Sequence, residues 1–170
     1  KFDFSIPQGN IGEAWVIAAH DNGSSKITNG ELAGLTLKEA YEKQPTLFTE
    51  KVYDKFPLLI KILDASDNLS VQVHPEDDYA CENENGELGK TECWYVLDVK
   101  EGTKLVYGHT AKTKEEFNDK IDREQWQELF IEEEVKAGDF FYIPAGTLHA
   151  IGEGILIYEV QQNSDTTYRV

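Results

Sequence analysis

Short apolar segments separated by turn-forming residues recur along nearly the whole chain. Runs rich in Val, Ile, Tyr and Phe predict β-strands when they are short and end near Gly, Pro, Asn or Asp. The segments that meet this description are residues 13–20, 57–63, 69–74, 92–99, 104–107, 130–136, 139–143 and 154–161. Many short strands of this kind are typical of an antiparallel sandwich or a small barrel, so the pattern predicts a mainly β fold.

Two helices are predicted between the strands, each beginning at a capping box. In a capping box a Thr side chain accepts a hydrogen bond from the backbone N–H three residues later, and a Glu at that later position accepts one in return. Thr36 with Glu39 and Thr113 with Glu116 fit this pattern. The second helix is expected to continue as far as Trp126, and the apolar residues of both helices are expected to face the sheet.

Composition narrows the possible partners. The 170 residues include 32 acidic and 16 basic side chains, which gives a formal charge of −16. This charge argues against binding to nucleic acid or to an anionic membrane surface. Since there is neither an apolar run long enough to cross a bilayer nor a signal-peptide pattern, a cytoplasmic location is expected. Cys81 and Cys93 fit neither a CxxC redox pair nor a zinc knuckle, and two reduced thiols are predicted.

Four polar residues form a possible set of metal ligands. Gln72 and His74 lie two residues apart in a predicted strand and should therefore point to the same face, and Glu92 and His149 complete the set. Two imidazoles, a carboxylate and an amide oxygen suit Zn²⁺ or a neighbouring divalent ion. Because a single carboxylate leaves the ion a net positive charge, the ion would remain able to polarise a substrate oxygen. The set therefore predicts catalysis more than scaffolding.

The region around His149 is similar to the second sequence motif of the cupin β-barrels. It has Gly138, five further residues, and then Pro144-x-Gly146-x-x-His149. The first cupin motif usually begins His-x-His, whereas this chain has Gln72-Val73-His74, and the glutamate of that motif comes late, at Glu92. Glu153 stands where the second motif has Asn. These departures argue against a generic cupin oxygenase and match one subfamily of the cupins.

Five further segments, spread over nearly the whole chain, match that subfamily. They are Gly12-Glu13-x-Trp15, Phe56-Pro57-Leu58-Leu59-Ile60-Lys61, Leu69-Ser70-Val71-Gln72-Val73-His74-Pro75, Glu87-Leu88-Gly89-Lys90-Thr91-Glu92 and Gln161-Gln162-Asn163-Ser164-Asp165-Thr166-Thr167-Tyr168-Arg169. Through these segments the chain resembles the type I phosphomannose isomerases of the short bacterial kind. So many matches in the same order make the resemblance specific.

The resemblance implies a cupin-type antiparallel β-barrel, or jelly roll, with two or more peripheral α-helices. It implies a zinc enzyme that interconverts mannose 6-phosphate and fructose 6-phosphate, with one Zn²⁺ per chain. The metal ligands that it implies are Gln72, His74, Glu92 and His149. The family begins earlier and continues past Val170 into a smaller β domain, so residues 1–170 are expected to be a single catalytic domain and a fragment of a longer chain.

The resemblance also implies roles for residues beside the metal. Arg169 and Glu159 would lie beside the reacting sugar carbons, and the pocket would be lined by Glu13, Lys61, Ser70 and Lys90. Isomerisation removes a proton next to a carbonyl and stabilises the resulting enediol, and the guanidinium of Arg169 could donate to its oxygens. Glu159 or Lys90 could move the proton, and the sequence does not choose between them.

The pocket residues suit an anionic substrate. Lys61 would supply positive charge that the chain otherwise lacks, and the hydroxyl of Ser70 could reach a phosphate or sugar oxygen. Trp94, two residues after Glu92, is expected to be an ordinary core residue.

Two other functions are compatible with the same residues. One is an Fe²⁺ cupin dioxygenase, against which Gln72 counts because a histidine usually stands there. The other is a non-catalytic, metal-bearing sensor of sugar phosphates, against which the presence of Arg169 and Glu159 argues. A coupled assay with and without a chelator would distinguish them from an isomerase.

Overall fold

The computed structural model describes residues 11–48 and 50–170. The strands are β1 Glu13–Ile17, β2 Ala19–His20, β3 Gly23–Ser24, β4 Leu58–Asp64, β5 Gln72–Val73, β6 Glu92–Val99, β7 Lys104–His109, β8 Phe130–Glu134, β9 Phe140–Ile143, β10 His149–Ala150, β11 Ile155–Gln162 and β12 Tyr168–Arg169. The helices are α1 Leu37–Lys43, α2 Asp77–Asn83, α3 Lys114–Asp122 and α4 Trp126–Leu129, with a 3₁₀ turn at Pro45–Leu47. Within the described residues, no helix is long and apolar enough to cross a membrane.

The strands form two five-stranded antiparallel sheets and a small hairpin. The first sheet has the order β1-β4-β11-β6-β9, and the second has the order β12-β5-β10-β7-β8. The hairpin pairs β2 with β3 around the turn at Asp21 and Asn22. These sheets, with helices outside them, confirm the prediction of a mainly β, antiparallel fold.

One apolar cluster joins the two sheets. Its buried members are Ala65, Trp94, Val96, Leu105, Val135, Ile143, Ile151, Ile155 and Ile157. Leu105 comes from the second sheet, whereas Trp94 and Ile157 come from the first. Fully burying a large aliphatic side chain contributes about 1.5–3 kcal/mol relative to leaving it in water, so this cluster stabilises the packing of one sheet on the other.

The predicted strand at residues 69–74 is shorter in the structure. Only Gln72 and Val73 form strand β5. The strand is short because its two neighbours in the sheet, β10 and β12, are themselves only two residues long. Ser70 therefore lies outside the strand that was expected to carry it. The predicted strand at residues 13–20 is likewise interrupted, with an irregularity in the β1–β4 pairing between Trp15 and Ile17.

The helices also differ from their predictions. The capping box at Thr36 is complete, whereas at Thr113 the Glu116 carboxylate accepts from the N–H of Lys112 instead of that of Thr113. Glu124 adopts a left-handed φ of 54°, and the helix predicted to reach Trp126 therefore ends earlier, as α3, at Asp122. Trp126 begins the separate α4 and is exposed, so it does not face the sheet.

Helix α2 was not predicted at all. Its N-cap residue, Glu76, makes no side-chain capping bond, so the usual sequence signal for a helix start is absent.

The outward face of the first sheet is unusually apolar. Tyr95, Phe140 and Tyr142 are 47%, 62% and 57% exposed, and Tyr95 lies directly opposite Phe140 in the β6–β9 pair. Half-buried neighbours on the same face are Ile60, Ile62, Cys93, Tyr158 and Val160. The solvent side of an antiparallel sheet is ordinarily polar, so this face departs from the usual pattern.

Candidate metal centre

The proposed metal ligands meet where the two sheets approach each other at one end of the interior. His149 lies directly opposite Gln72 in the β10–β5 pair, and Arg169 lies opposite Gln72 on the other side of β5. Residues directly opposite each other in an antiparallel pair project to the same face. Glu92 begins β6 in the first sheet, and His74 follows β5 immediately. The second sheet therefore supplies the histidines, and the first supplies the carboxylate.

Three of these side chains converge in a buried position. The Nε2 atom of His149 lies 3.1 Å from Oε1 of Glu92, and Nε2 of His74 lies 3.6 Å from Oε2 of the same carboxylate. One ligand atom from each of the three residues falls within 4.8 Å of the others. All three residues are at most 2% exposed. Two imidazoles and a carboxylate at this spacing could hold a divalent ion.

The hydrogen bonds of the histidines fix which nitrogen can bind a metal. Nδ1 of His74 lies 3.0 Å from the Thr166 carbonyl oxygen, and Nδ1 of His149 lies 2.8 Å from that of Thr147. A carbonyl oxygen can only accept, so both Nδ1 atoms carry the proton and both Nε2 atoms keep a lone pair. Metal-binding histidines typically donate their other ring N–H to a carbonyl or carboxylate oxygen in this way.

The centre contains buried acceptors that have no hydrogen-bond donor. Nε2 of His74 and both carboxylate oxygens of Glu92 lack a partner among the described residues. Burial, followed by the charge of Lys90, lowers the pKa of His74 to about 3, so its imidazole stays neutral. Unpaired buried acceptors are costly. A cation placed among them would satisfy all three, and the residues therefore fit a divalent metal ion.

Glu92 is ionised despite its burial. Burial acts to raise its pKa, but the nearby charge of Lys90 helps to hold the pKa below its ordinary value. The Nζ atom of Lys90 lies 3.5 Å from Oε2 of Glu92, so this predicted catalytic residue lies beside the proposed metal ligands. The ionised carboxylate is the form that can bind a metal ion.

Gln72 is placed next to the centre, with its amide nitrogen toward it. Its Nε2 lies 3.3 Å from Nε2 of His149, which has a lone pair to accept from it. The oxygen and nitrogen of an amide exchange places by a half-turn, and that half-turn would bring Oε1 toward the centre. Ligation by Gln72 therefore stays a prediction that the position permits.

Glu159 lies in the first sheet on β11, the strand next to the one that begins with Glu92. In register it stands between Lys61 of β4 and Trp94 of β6, so the three side chains share the interior face. Oε2 of Glu159 accepts from Nε1 of Trp94 at 2.9 Å, and Oε1 lies 3.8 Å from Nζ of Lys61. Burial, with a smaller contribution from the charge of Glu92, raises the pKa of Glu159 to about 7. This carboxyl group can therefore hold or release a proton near neutral pH.

Trp94 belongs to the core, as expected, but it also contacts the site. Besides donating to Glu159, its ring packs edge-on against the ring of His149, with 5.3 Å between the ring centroids. Its position two residues after Glu92 in a strand was the signal for this placement, because it puts both side chains on one face.

The remaining predicted residues lie at two edges of the site. Lys61 is buried, and its Nζ atom lies 3.9 Å from Oε2 of Glu13. The other carboxylate oxygen, Oε1 of Glu13, accepts from Nε1 of Trp15 at 3.1 Å. On the other side, Nε of Arg169 donates to the hydroxyl of Ser70 at 3.2 Å. The structure thus forms a Lys61–Glu13 contact and an Arg169–Ser70 contact.

Residues 1–97 match the family model for the phosphomannose isomerase type I catalytic domain. The chain belongs to this family. It is 56% identical over 169 residues to mannose-6-phosphate isomerase ManA of Bacillus subtilis (strain 168), a match that covers 99% of this chain and 54% of ManA. It is 55% identical to the mannose-6-phosphate isomerase of Streptococcus mutans, over all of this chain and 54% of that protein.

Solved structures agree with this assignment. The crystal structure of mannose 6-phosphate isomerase from Bacillus subtilis superposes with a TM-score of 0.94 at 49% identity, over 98% of this chain and 53% of that one. A putative mannosephosphate isomerase from Archaeoglobus fulgidus gives 0.80 at 30% identity, over 97% and 55%. These matches confirm the predicted family and fold class, and the chain spans about half the length of the relatives that it matches.

Proposed function

We propose that the chain is the metal-bearing catalytic part of an isomerase that interconverts mannose 6-phosphate and fructose 6-phosphate through an enediol. One Zn²⁺ would be held by His74, Glu92 and His149, with Gln72 as the fourth ligand. The observation that carries the proposal is the convergence of unpaired Nε2 and carboxylate lone pairs in a buried centre. In a member of the phosphomannose isomerase family, such a centre is best explained by catalysis.

The residues around the centre suit the electrostatic demands of the reaction. When bound, zinc would supply Lewis-acid polarisation of the substrate oxygens. Arg169 shares its register row with Gln72 and His149, and its guanidinium is charged at any working pH. It would donate to the oxygen that becomes negative as the enediol forms, and Lys90 would add a second positive charge on the Glu92 side.

Glu159 is the group we propose to move the proton between the two sugar carbons. Its pKa of about 7 means that both forms are populated near neutral pH, so the carboxylate can take a proton from one carbon and return it to the next. The bond from Trp94 holds Oε2, and Oε1 remains on the side of Lys61. Lys90, whose Nζ lies 3.5 Å from the Glu92 carboxylate, is the alternative base, and in that role it would act in its neutral form instead of supplying a positive charge.

The substrate phosphate would be attracted by Lys61 and positioned with help from Ser70. Lys61 is 8% exposed and lies within 4 Å of two carboxylates, so its charge is held in place rather than free in solvent. Glu13 would line the pocket beside it. The proposed partner is thus a small sugar phosphate, and the proposed location is the cytoplasm.

The direct test is a coupled assay of mannose 6-phosphate conversion by the full-length protein. Exhaustive chelation should abolish the activity, and one equivalent of Zn²⁺ per chain should restore it, whereas Mg²⁺ should not, because it prefers oxygen ligands. Full activity after complete metal removal would contradict the proposal. Oxygen consumption with Fe²⁺, in the absence of isomerisation, would support the dioxygenase alternative instead.

A further inference from the structure

Thr91 connects two parts of the chain around the metal centre without belonging to it. It lies between Lys90 and Glu92 and is half-buried. Its backbone N–H donates to Oε1 of Gln162 at 2.8 Å, and its carbonyl accepts from the backbone N–H of Gln162 at 3.0 Å. Its hydroxyl accepts from the backbone N–H of Ala145 at 3.2 Å. One residue is therefore bonded to β11 and to the turn that precedes β10.

These bonds continue into the segments that carry the proposed ligands. Ala145 belongs to the turn that leads to His149, and the next residue, Gly146, donates its N–H to the His74 carbonyl at 2.8 Å. On the other side of Thr91, the N–H of Lys90 donates to the Pro75 carbonyl at 3.0 Å. The backbones that hold His74, Glu92 and His149 are thus tied to one another. Between the last two, the Thr91 hydroxyl adds a bond inside the turn to the pairing of Glu92 with Ile143, which lies just before that turn.

Asp77 anchors the far side of this arrangement. Its Oδ1 accepts from Nε2 of Gln162 at 2.9 Å and from the N–H of Gly89 at 2.8 Å. The approach is close, because a Cβ atom on Gly89 would lie 2.5 Å from the backbone nitrogen of Asp77. Only glycine fits there, so the segment leading to Glu92 is held against the start of α2.

We propose that Thr91 is a positioning residue of the metal centre, which sets the distance between Glu92 and His149 through its hydroxyl bond to the Ala145 N–H. Glu92 and His149 come from different sheets, so no single strand fixes their separation. Groups that orient metal ligands without touching the ion typically contribute 10–100-fold to metal affinity. The inference rests on the proposed function, because it needs the centre to bind zinc.

The test is the zinc dissociation constant of the full-length protein, measured by competition with a chromophoric chelator. Thr91→Val keeps the shape of the side chain and both backbone bonds to Gln162, and removes only the acceptor. It should raise the dissociation constant about 10–100-fold. Thr91→Ser keeps the hydroxyl and should stay within about threefold of the unmodified protein.

Thr110→Val is the matched control. The Thr110 hydroxyl is also half-buried, donates to the Glu128 carbonyl at 2.6 Å and accepts from Nζ of Lys120 at 3.0 Å, so it likewise links separate elements. Its loss should lower the melting temperature but leave the zinc dissociation constant within about twofold, since it shares no partner with the centre. A purely structural role for Thr91 would make the two Val variants behave alike.

The outcomes separate the two proposals. Thr91→Val with unchanged zinc affinity, or Thr91→Ser as impaired as Thr91→Val, would overturn the role of the hydroxyl. If Thr91→Val does not fold, Asp77→Ala decides. Asp77 is exposed, and losing its two bonds should weaken zinc binding about three- to tenfold, whereas no change would refute the network. An unmodified protein that binds no zinc would instead refute the proposed function.

Discussion

The interior between the two sheets has two ends with opposite chemistry, and the same strands supply both. Along β11 the interior positions are Ile155, Ile157, Glu159 and then Gln161, all buried. Neighbouring β6 changes in the same direction, from Val96 through Trp94 to Glu92. The apolar end contributes burial, whereas the polar end contains unpaired acceptors and a carboxyl group with a raised pKa.

The comparison shows how a small domain can support a site that is unfavourable to fold. Burying imidazoles and carboxylates without donors costs free energy. The apolar cluster one or two residues away on the same strands offsets that cost and holds the strands rigid. Local rules of stability are expected to fail at functional sites, and along the interior face of β11 the change to polar residues comes after Ile157. Substitutions at the two ends should therefore act on different measurable quantities.

The largest expected effect is the loss of metal from the polar end. His74→Ala and His149→Ala should each remove most of the bound zinc, while Gln72→Ala should weaken binding less, because a neutral amide attracts a dication least. Metal content after dialysis, together with chelator competition, measures the order. Equal loss in all three variants would contradict this ranking of the ligands.

The next largest effect concerns Arg169. In the full-length protein, Arg169→Ala should lower kcat by about 10²–10³-fold, the range for losing one preorganised donor, with little change in KM. Zinc content and melting temperature should not change. Arg169→Lys should recover little, because a point charge does not reproduce the planar pair of donors. Near-normal kcat with a much higher KM would instead assign Arg169 to phosphate binding.

A smaller, pH-dependent effect is expected for Glu159 in the zinc-free protein. Its folded pKa of about 7 lies above the ordinary value of 4.5, so its contribution to stability is fully present below pH 4.5 and is lost as the pH rises through 7. Glu159→Gln removes the charge, and should leave stability nearly unchanged at pH 4.5 but increase it at pH 8 by on the order of 1–3 kcal/mol.

Urea unfolding at the two pH values measures this difference. The same substitution at the exposed Glu133 of β8 is the control, and should change stability little at either pH. A Glu159→Gln variant that is equally stabilised at both pH values, or destabilised at pH 8, would show that burial does not oppose ionisation of this group.

The smallest effect comes from the apolar end. Ile157→Val removes one buried methyl group and should destabilise the protein by about 0.5–1.5 kcal/mol. Because Ile157 lies two residues from Glu159 on the same face, the variant also tests how sharply the two ends are separated. Zinc affinity and kcat should remain those of the unmodified protein. A loss of zinc affinity as large as that expected for Gln72→Ala would show that the two ends are coupled.

The sequence predicted the features that depend on local chemistry. The strand segments other than residues 13–20 and 69–74, the capping residue Thr36 and the gathering of His74, Glu92 and His149 follow from periodicity and motif spacing, and the structure contains them. Features set by partners distant in sequence were missed. Strand β5 is short because its neighbours are short, and α2 begins without a capping side chain.

The site was also only partly predictable. The residues proposed as ligands were found from the sequence, and their role stays a prediction. The hydrogen bond from Trp94 to Glu159 was not foreseen, because it depends on the pairing of β6 with β11, which spacing along the chain does not specify. The carbonyls of Thr147 and Thr166 that orient the histidines are backbone groups, and side-chain motifs carry no information about them.

The aromatic outward face of the first sheet affects how strongly molecules of this chain associate in solution. Tyr95, Phe140 and Tyr142 form an exposed apolar surface that attracts neighbouring molecules, while the net charge of −16 repels them. That repulsion reaches about 10 Å in 0.1 M salt and about 3 Å in 1 M salt. Ionic strength therefore sets the balance, and dilute buffer keeps the molecules dispersed, whereas concentrated salt favours their association through this face.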